Sequence, residues 1–427
     1  MRIHTMNRIL PDKKRLLPFA LVSLLFLLWG IANNMNDTLL AAFRRIMSMN
    51  DLQTSLVQLA FYGAYFCFAL PAAIFISRHS YKGGIMLGLS LYALGTLLFY
   101  PAGRATSYGF FLIAIYIMAG GCAILETTAN PYILSMGPPE TATRRLNIAQ
   151  TLNPLGAIAG ILLSRHFILS ELGAEGAAER AGMNADSLLA LQHHELDAVA
   201  SIYMLIGCVL VALLVVIALV KMPGGKSDSS FSIRSGIKRL WHNRRWRYGV
   251  VAQFFYVGAQ TAVWSFTIRL AMDRLGVREA DASAVFLASI VAFSIFRFMF
   301  TWLMAYVKPA KLMALCAIVG MSCTICVICG SGMFSICALV GISACMSLMF
   351  PTIYGIALDG IAGDSAKLAA SGLIMAILGG AVITPLQAFM SDRFGIGTSF
   401  WIPFICLTVV FLYSAAIAKK SHIQKNE

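Results

Sequence analysis

Twelve apolar runs, most of them roughly 20 to 27 residues long, take up almost the whole of this 427-residue chain. At 1.5 Å per residue, such a run crosses about 30 Å of hydrocarbon once it is helical. Within a bilayer each backbone N–H and C=O must find its partner inside the protein, so each run has to be a helix. The runs fall at about 17–43, 52–77, 82–102, 107–136, 143–168 and 198–221, then at 247–272, 281–306, 309–330, 333–358, 366–391 and 397–419. The chain is 59% hydrophobic and only 12% charged, whereas a soluble protein carries about 25% charged residues. The first run is too long for a signal peptide and has no small-residue cleavage site after it, so it is expected to stay as an anchor.

Short connections make consecutive helices antiparallel neighbours. Two longer segments, 169–197 and 222–246, break the rhythm. The first carries Glu171, Glu175, Glu179, Asp186, Glu195 and Asp197 against Arg180. The second carries Lys226, Arg234, Lys238, Arg239, Arg244 and Arg245 against Asp228. Cytoplasmic loops are rich in Lys and Arg, which predicts 222–246 and both termini inside and 169–197 outside. Arg44 and Arg45 run against this pattern and are outvoted by the other loops. The expected layout is an N-tail at 1–16, a six-helix bundle at 17–221, a linker at 222–246, a second six-helix bundle at 247–419 and a C-tail at 420–427. FSIRSGIKRLWHNRRWRYG reads as a basic amphipathic helix on the membrane surface, with Trp241 and Trp246 at headgroup depth. The net charge of +14 follows from these loops and does not point to nucleic acid.

Two carboxylates stand where hydrocarbon should be. Asp37 lies in LLFLLWGIANNMNDTLLAAF and Glu126 in FFLIAIYIMAGGCAILETTANPYIL. An ionised side chain at a helix centre costs about 3 kcal/mol even on the lenient insertion scale, so such residues face pathways. Asn33, Asn34 and Asp37 share one helical face, with Trp29 one turn before Asn33. Glu126 and Asn130 are four apart. Asn147, Gln150 and Asn153 recur every three residues, just ahead of Pro154. Gln253, Tyr256, Gln260 and Trp264 form a stripe. A single amide in a span usually bridges helices, worth about 0.6 kcal/mol. Amides, acids and aromatics together suit a sugar, whose hydroxyls need donor–acceptor groups and whose apolar face needs a ring. Arg269 is placed near a helix end, and the deeper Arg297 is expected to pair with an acid or with backbone carbonyls in a structural or gating role. Cys323, Cys326 and Cys329 read as small core residues; no metal, cofactor or disulfide is expected. No phosphate-cradling glycine loop occurs, which argues against ATP-driven transport.

LWGIANNMNDTLL, CAILETTANPYI, RRLNIAQTLNPLGAI and VAQFFYVGAQTAVWSF resemble the fucose permease family of the major facilitator superfamily, and the resemblance runs from about Leu17 to Ala418. It implies an all-α membrane protein of twelve transmembrane helices in two six-helix bundles. It also implies alternating access and proton-coupled sugar uptake across the bacterial inner membrane, not an enzyme. Asp37 and Glu126 are then the proton-coupling acids. Trp29, Asn33, Asn34, Asp37, Glu126, Asn130, Gln150, Asn153, Gln253, Tyr256, Gln260 and Trp264 are the candidate substrate contacts. The family includes relatives for other hexoses and amino sugars, so the implied substrate is a neutral monosaccharide, L-fucose or a related hexose, carried by a monomer. The superfamily signature after the second helix is reduced here to FISRHSYKGGIML, without its usual acid, which leaves the inner gate unassigned. A proton-driven antiporter exporting a sugar or other small molecule would favour a broader, more aromatic cavity. An enzyme on lipid-linked sugars would need a larger outer domain than 169–197.

Overall fold

A computed structural model describes residues 12–47, 51–169, 180, 182–222 and 233–423. The twelve helices are α1 (Lys13–Ile46), α2 (Asp51–Arg78), α3 (Tyr81–Leu97, continued by Phe99–Arg104), α4 (Tyr108–Ser135), α5 (Ala142–Gln150 and Leu152–Leu163) and α6 (Ala185–Leu219), then α7 (Arg244–Leu275), α8 (Glu279–Leu303), α9 (Pro309–Cys329), α10 (Gly332–Met346 and Met349–Leu358), α11 (Gly363–Met375, Ala376–Leu378 and Gly379–Phe394) and α12 (Ile396–Ser399 and Trp401–Ile423). Among the described residues, eleven of these are long and apolar enough to cross a membrane by length and composition. The twelfth is α7, which has 32 residues but carries Gln253 and Gln260 in its middle. Those two amides lower its hydropathy, and they belong to the stripe singled out above.

The two halves repeat one packing scheme. In the first, α1 packs on α5, α2 on α4, and α3 on both α4 and α6; in the second, α7 packs on α11, α8 on α10, and α9 on both α10 and α12. Close approach at the α1–α5 seam depends on glycine. A Cβ on Gly30 would strike the Asn153 carbonyl, and one on Gly156 would strike the Leu27 carbonyl. Small residues at helix seams serve this purpose where lipid supplies no hydrophobic drive for association.

Helix α6 starts well before the expected 198. Asn184 caps it by accepting from Ser187 N at 2.8 Å, and Asp186 sits in the first turn, where a negative charge favours the helix. Much of the segment expected as an acidic loop is therefore helix. Glu195 within it is fully buried and takes both guanidinium nitrogens of Arg180. Residues 170–179 and 223–232, with Glu171, Glu175, Glu179, Lys226 and Asp228, lie outside the described residues.

The linker holds a helix, Ile233–His242, and the chain turns at Asn243, whose side chain caps α7. Gly236 and Leu240 are buried while Ile237 and Trp241 are exposed, so half of the apolar arc packs on protein and half does not. Trp246, expected at headgroup depth, also packs on protein. It is half-buried, donates its indole N–H to Ala369 O at 2.9 Å, and packs against Gly372.

Candidate functional site

The linker end of the molecule is where the halves meet. Lys367 Nζ of α11 donates to Ile76 O of α2 at 3.2 Å, Arg144 Nε of α5 to Thr301 O of α8 at 3.3 Å, and Asn147 Nδ2 to Thr352 Oγ1 of α10 at 3.3 Å. Thr143 packs on Gly355, where a Cβ would lie 2.6 Å from its hydroxyl. Above this seal lies a cavity of about 150 Å³ between the halves, walled by both. A water needs roughly 10–15 Å³ of such space, so the cavity has room for about ten waters or one small polar solute.

The first half supplies most of the polar wall: Trp29, Asn33, Asn34, Tyr65, Glu126, Gln150 and Asn153. Tyr65 donates its hydroxyl to Glu126 Oε1 at 3.3 Å, and both side chains are buried. Asn34 Nδ2 donates to Gly30 O at 3.0 Å and Asn153 Nδ2 to Phe26 O at 3.2 Å. Gln150 Nε2 donates to Asn130 Oδ1 at 2.8 Å. Each amide is thus anchored through one N–H, and its oxygen has no partner among the described residues. The wall presents these oxygens as acceptors beside the Glu126 carboxyl. The second half supplies Gln260 and Trp264 from α7, Phe293 and Arg297 from α8, and Phe350 from α10. Trp264 is fixed by an indole N–H donated to Ser343 Oγ at 3.3 Å and by an edge contact to Phe293. Trp29 is held edge-on by Phe26.

Eight of the twelve candidate contacts therefore meet at one cavity: Trp29, Asn33, Asn34, Glu126, Gln150, Asn153, Gln260 and Trp264. Asp37 lies on α1, one turn beyond Asn33; its side chain is outside the described residues. Three candidates are not on the wall. Asn130 is fully buried behind Gln150, and Tyr256 is fully buried with its hydroxyl on Met346 O at 3.1 Å. Gln253 is fully buried, and neither amide atom has a partner among the described residues. All three lie on the linker side of the cavity. Tyr256 is off the wall by angle, since Val257 at nearly the same height lines the cavity; Gln253 is off it by depth. Gln253 shares its helical face with Gln260 but sits about 10 Å further along the axis toward the linker, seven residues at 1.5 Å each. Asn147 likewise serves the seal rather than the cavity.

Sequence reasoning missed α2 altogether. Phe61, Tyr62 and Tyr65 line the cavity, but FYGAYF reads as plain apolar helix, and tyrosine carries no burial penalty that would mark it. Ile290 and Phe293 were also missed, though they precede Arg297 at seven and four residues and share its stripe. Arg269 is exposed, its guanidinium 5.4 Å from the centre of the Phe266 ring.

Comparison with known proteins agrees with this architecture. Residues 19–378 match the Major Facilitator Superfamily. An L-fucose-proton symporter of Haemophilus influenzae is 41% identical over 421 residues, covering 96% of this chain and 98% of the relative. A glucose/galactose transporter of Brucella abortus is 33% identical, covering 92% and 93%. A crystal structure of the Escherichia coli fucose:proton symporter in its outward conformation superposes with a TM-score of 0.87 at 36% identity, covering 94% of this chain and 99% of that one. The chain belongs to the Major Facilitator Superfamily, in the branch that contains the L-fucose-proton symporters.

Proposed function

We propose that this protein is a proton-coupled symporter that imports a neutral monosaccharide, L-fucose or a related hexose, by alternating access. The observation that carries the reading is the cavity itself. It lies between two repeated halves that are hydrogen-bonded to each other at the linker end, and joins one buried carboxyl to anchored amides and two indoles. The amide oxygens suit sugar hydroxyl donors, and Trp29 and Trp264 suit the apolar sugar face. The names of the Haemophilus and Escherichia coli relatives support L-fucose; that of the Brucella relative supports a glucose-type hexose in the same kind of site.

In this reading residues 17–221 and 247–419 are the rocking bundles, and 222–246 is a cytoplasmic linker. Both termini are cytoplasmic in a bacterial inner membrane, and the structure faces outward. Asp37, toward the outer end of α1, takes the proton from outside. Glu126 serves both sugar contact and proton handling. The coupling follows from hydration. A dry, occluded cavity disfavours the charged form of any carboxyl within it, and opening inward rewets that carboxyl and lets the proton leave.

Purified protein in proteoliposomes, offered a panel of labelled monosaccharides under an imposed proton gradient, tests this reading. Uphill accumulation of fucose or a related hexose is expected, with alkalinisation of the outer medium when sugar is added without a gradient. Acidification on adding sugar would instead identify an antiporter, and no uptake of any monosaccharide would overturn the substrate class.

A further inference from the structure

Arg297 is 3% exposed and pairs with no carboxylate among the described residues. Its Nε donates to Ser347 O at 2.6 Å and its Nη1 to Gln150 O at 3.0 Å, while its guanidinium lies 4.8 Å from the centre of the Phe293 ring. Both acceptors are special carbonyls. In an α-helix the carbonyl of residue i accepts from the N–H of residue i+4. Four residues after Gln150 stands Pro154, and four after Ser347 stands Pro351. Proline has no N–H to give. Each helix breaks at that point, α5 at Thr151 and α10 at Ser347–Leu348. In a dry interior such orphan carbonyls need a partner, and so does a buried guanidinium. One arginine meets both needs, in two different halves of the molecule.

We propose that Arg297 is a positioning residue that clasps the two proline-vacated carbonyls and holds the cavity floor shut. The Ser347 bond lies within the second half and survives rocking. The Gln150 bond crosses between halves and must break before the linker end opens. Gln150 also offers its side chain to the cavity, so the clasp holds a candidate sugar contact and the floor through one residue. This inference rests on the alternating-access reading above.

The test is a double-mutant cycle on conformation, read without sugar or gradient. Spin labels at Arg78 and Tyr306 report the separation of the halves at the linker end. Arg297→Gln is expected to shift the distances toward a longer, open population. Pro154→Ala restores an N–H that takes the Gln150 carbonyl away from Arg297, and should shift the distances the same way. Arg297→Gln with Pro154→Ala should open the linker end no further than either alone, because both break the same bond between the halves, Arg297 to Gln150 O. Unchanged distances in Pro154→Ala, or shifts that add in the double variant, would overturn the clasp. Should Arg297→Gln fail to fold, Arg297→Lys, whose single ammonium cannot span both carbonyls, runs the same cycle. Sugar binding measured on the same variants separates the outcomes: a failed clasp with intact sugar binding leaves the transport reading standing, and a failed sugar assay leaves the distances interpretable.

Discussion

At the scale of the residue, the amides and the two acids do different work and should fail differently. Asn34, Gln150 and Asn153 are each anchored by one N–H and face the cavity. Replacing any of them by Ala should weaken sugar binding by about 1 to 3 kcal/mol, the range for losing one partner of a buried polar group. Calorimetry in detergent reads this directly, and unchanged affinity in all three would place the sugar elsewhere. Asp37→Asn keeps shape and hydrogen bonding but cannot titrate. It should abolish uphill uptake while sparing part of the exchange between equal sugar pools, since exchange needs only the loaded carrier to reorient. Glu126→Ala should reduce both, because it also deletes a sugar contact. Normal uphill uptake by Asp37→Asn would remove that residue from coupling. The acids and amides were legible in sequence because a polar atom in hydrocarbon demands a reason. Tyr65, which holds Glu126 at 3.3 Å, was not legible, because a tyrosine in a span demands none.

At the scale of the element, the sequence pattern gives angle well and depth poorly. Periodicity placed Gln253, Tyr256, Gln260 and Trp264 on one stripe, and the structure divides that stripe, the last two on the wall and the first two fully buried off it, Gln253 by depth and Tyr256 by the direction of its hydroxyl. Sequence also left the inner gate unassigned once the acid was missing from FISRHSYKGGIML. The structure fills that place with Lys367, which is buried, paired with Asp364 Oδ1 at 2.7 Å, and donates to Ile76 O in the last turn of α2. A cation suits a helix C-terminus, whose carbonyls carry partial negative charge. The Asp364 partner lies on the same helix, so Lys367 keeps its counter-charge when the halves part. Lys367→Met leaves the Asp364 carboxylate buried without its ammonium and should lower stability by about 3 to 5 kcal/mol. Lys367→Met combined with Asp364→Asn removes the charge imbalance and should recover much of that loss. It should also loosen the linker end. Thermal unfolding in detergent ranks the two variants, and equal stability of the two would show that the pair does not act as a unit.

At the scale of the whole molecule, the twelve helices and their two repeated halves were legible because lipid leaves a spanning chain so few options. Each run must be a helix, and each helix must be at least as long as the hydrocarbon is thick. Even so, α7 nearly escapes that logic. One of the two amides that lower its hydropathy, Gln260, lines the cavity from the second half, so the weakest span by composition is among those that build the site. Orientation is the remaining whole-molecule quantity, and it rests on charge alone: the basic 222–246 linker predicts the cytoplasm at that end, with the acidic 169–197 segment outside. The seal formed by Lys367, Arg144 and Asn147 lies at the linker end. If that end is cytoplasmic, the structure is outward-facing; if it is not, the same arrangement is inward-facing and the proton route through Asp37 reverses. Single cysteines at Ser229 and Ala185 on a cysteine-free background decide this with an impermeant thiol reagent on intact cells. Ala185 is the first residue of α6 and Ser229 lies outside the described residues, so the test draws on topology rather than on side-chain placement. Labelling is expected at position 185 and not at position 229. The opposite result would invert the whole transport cycle while leaving the cavity, its amides and its seal unchanged.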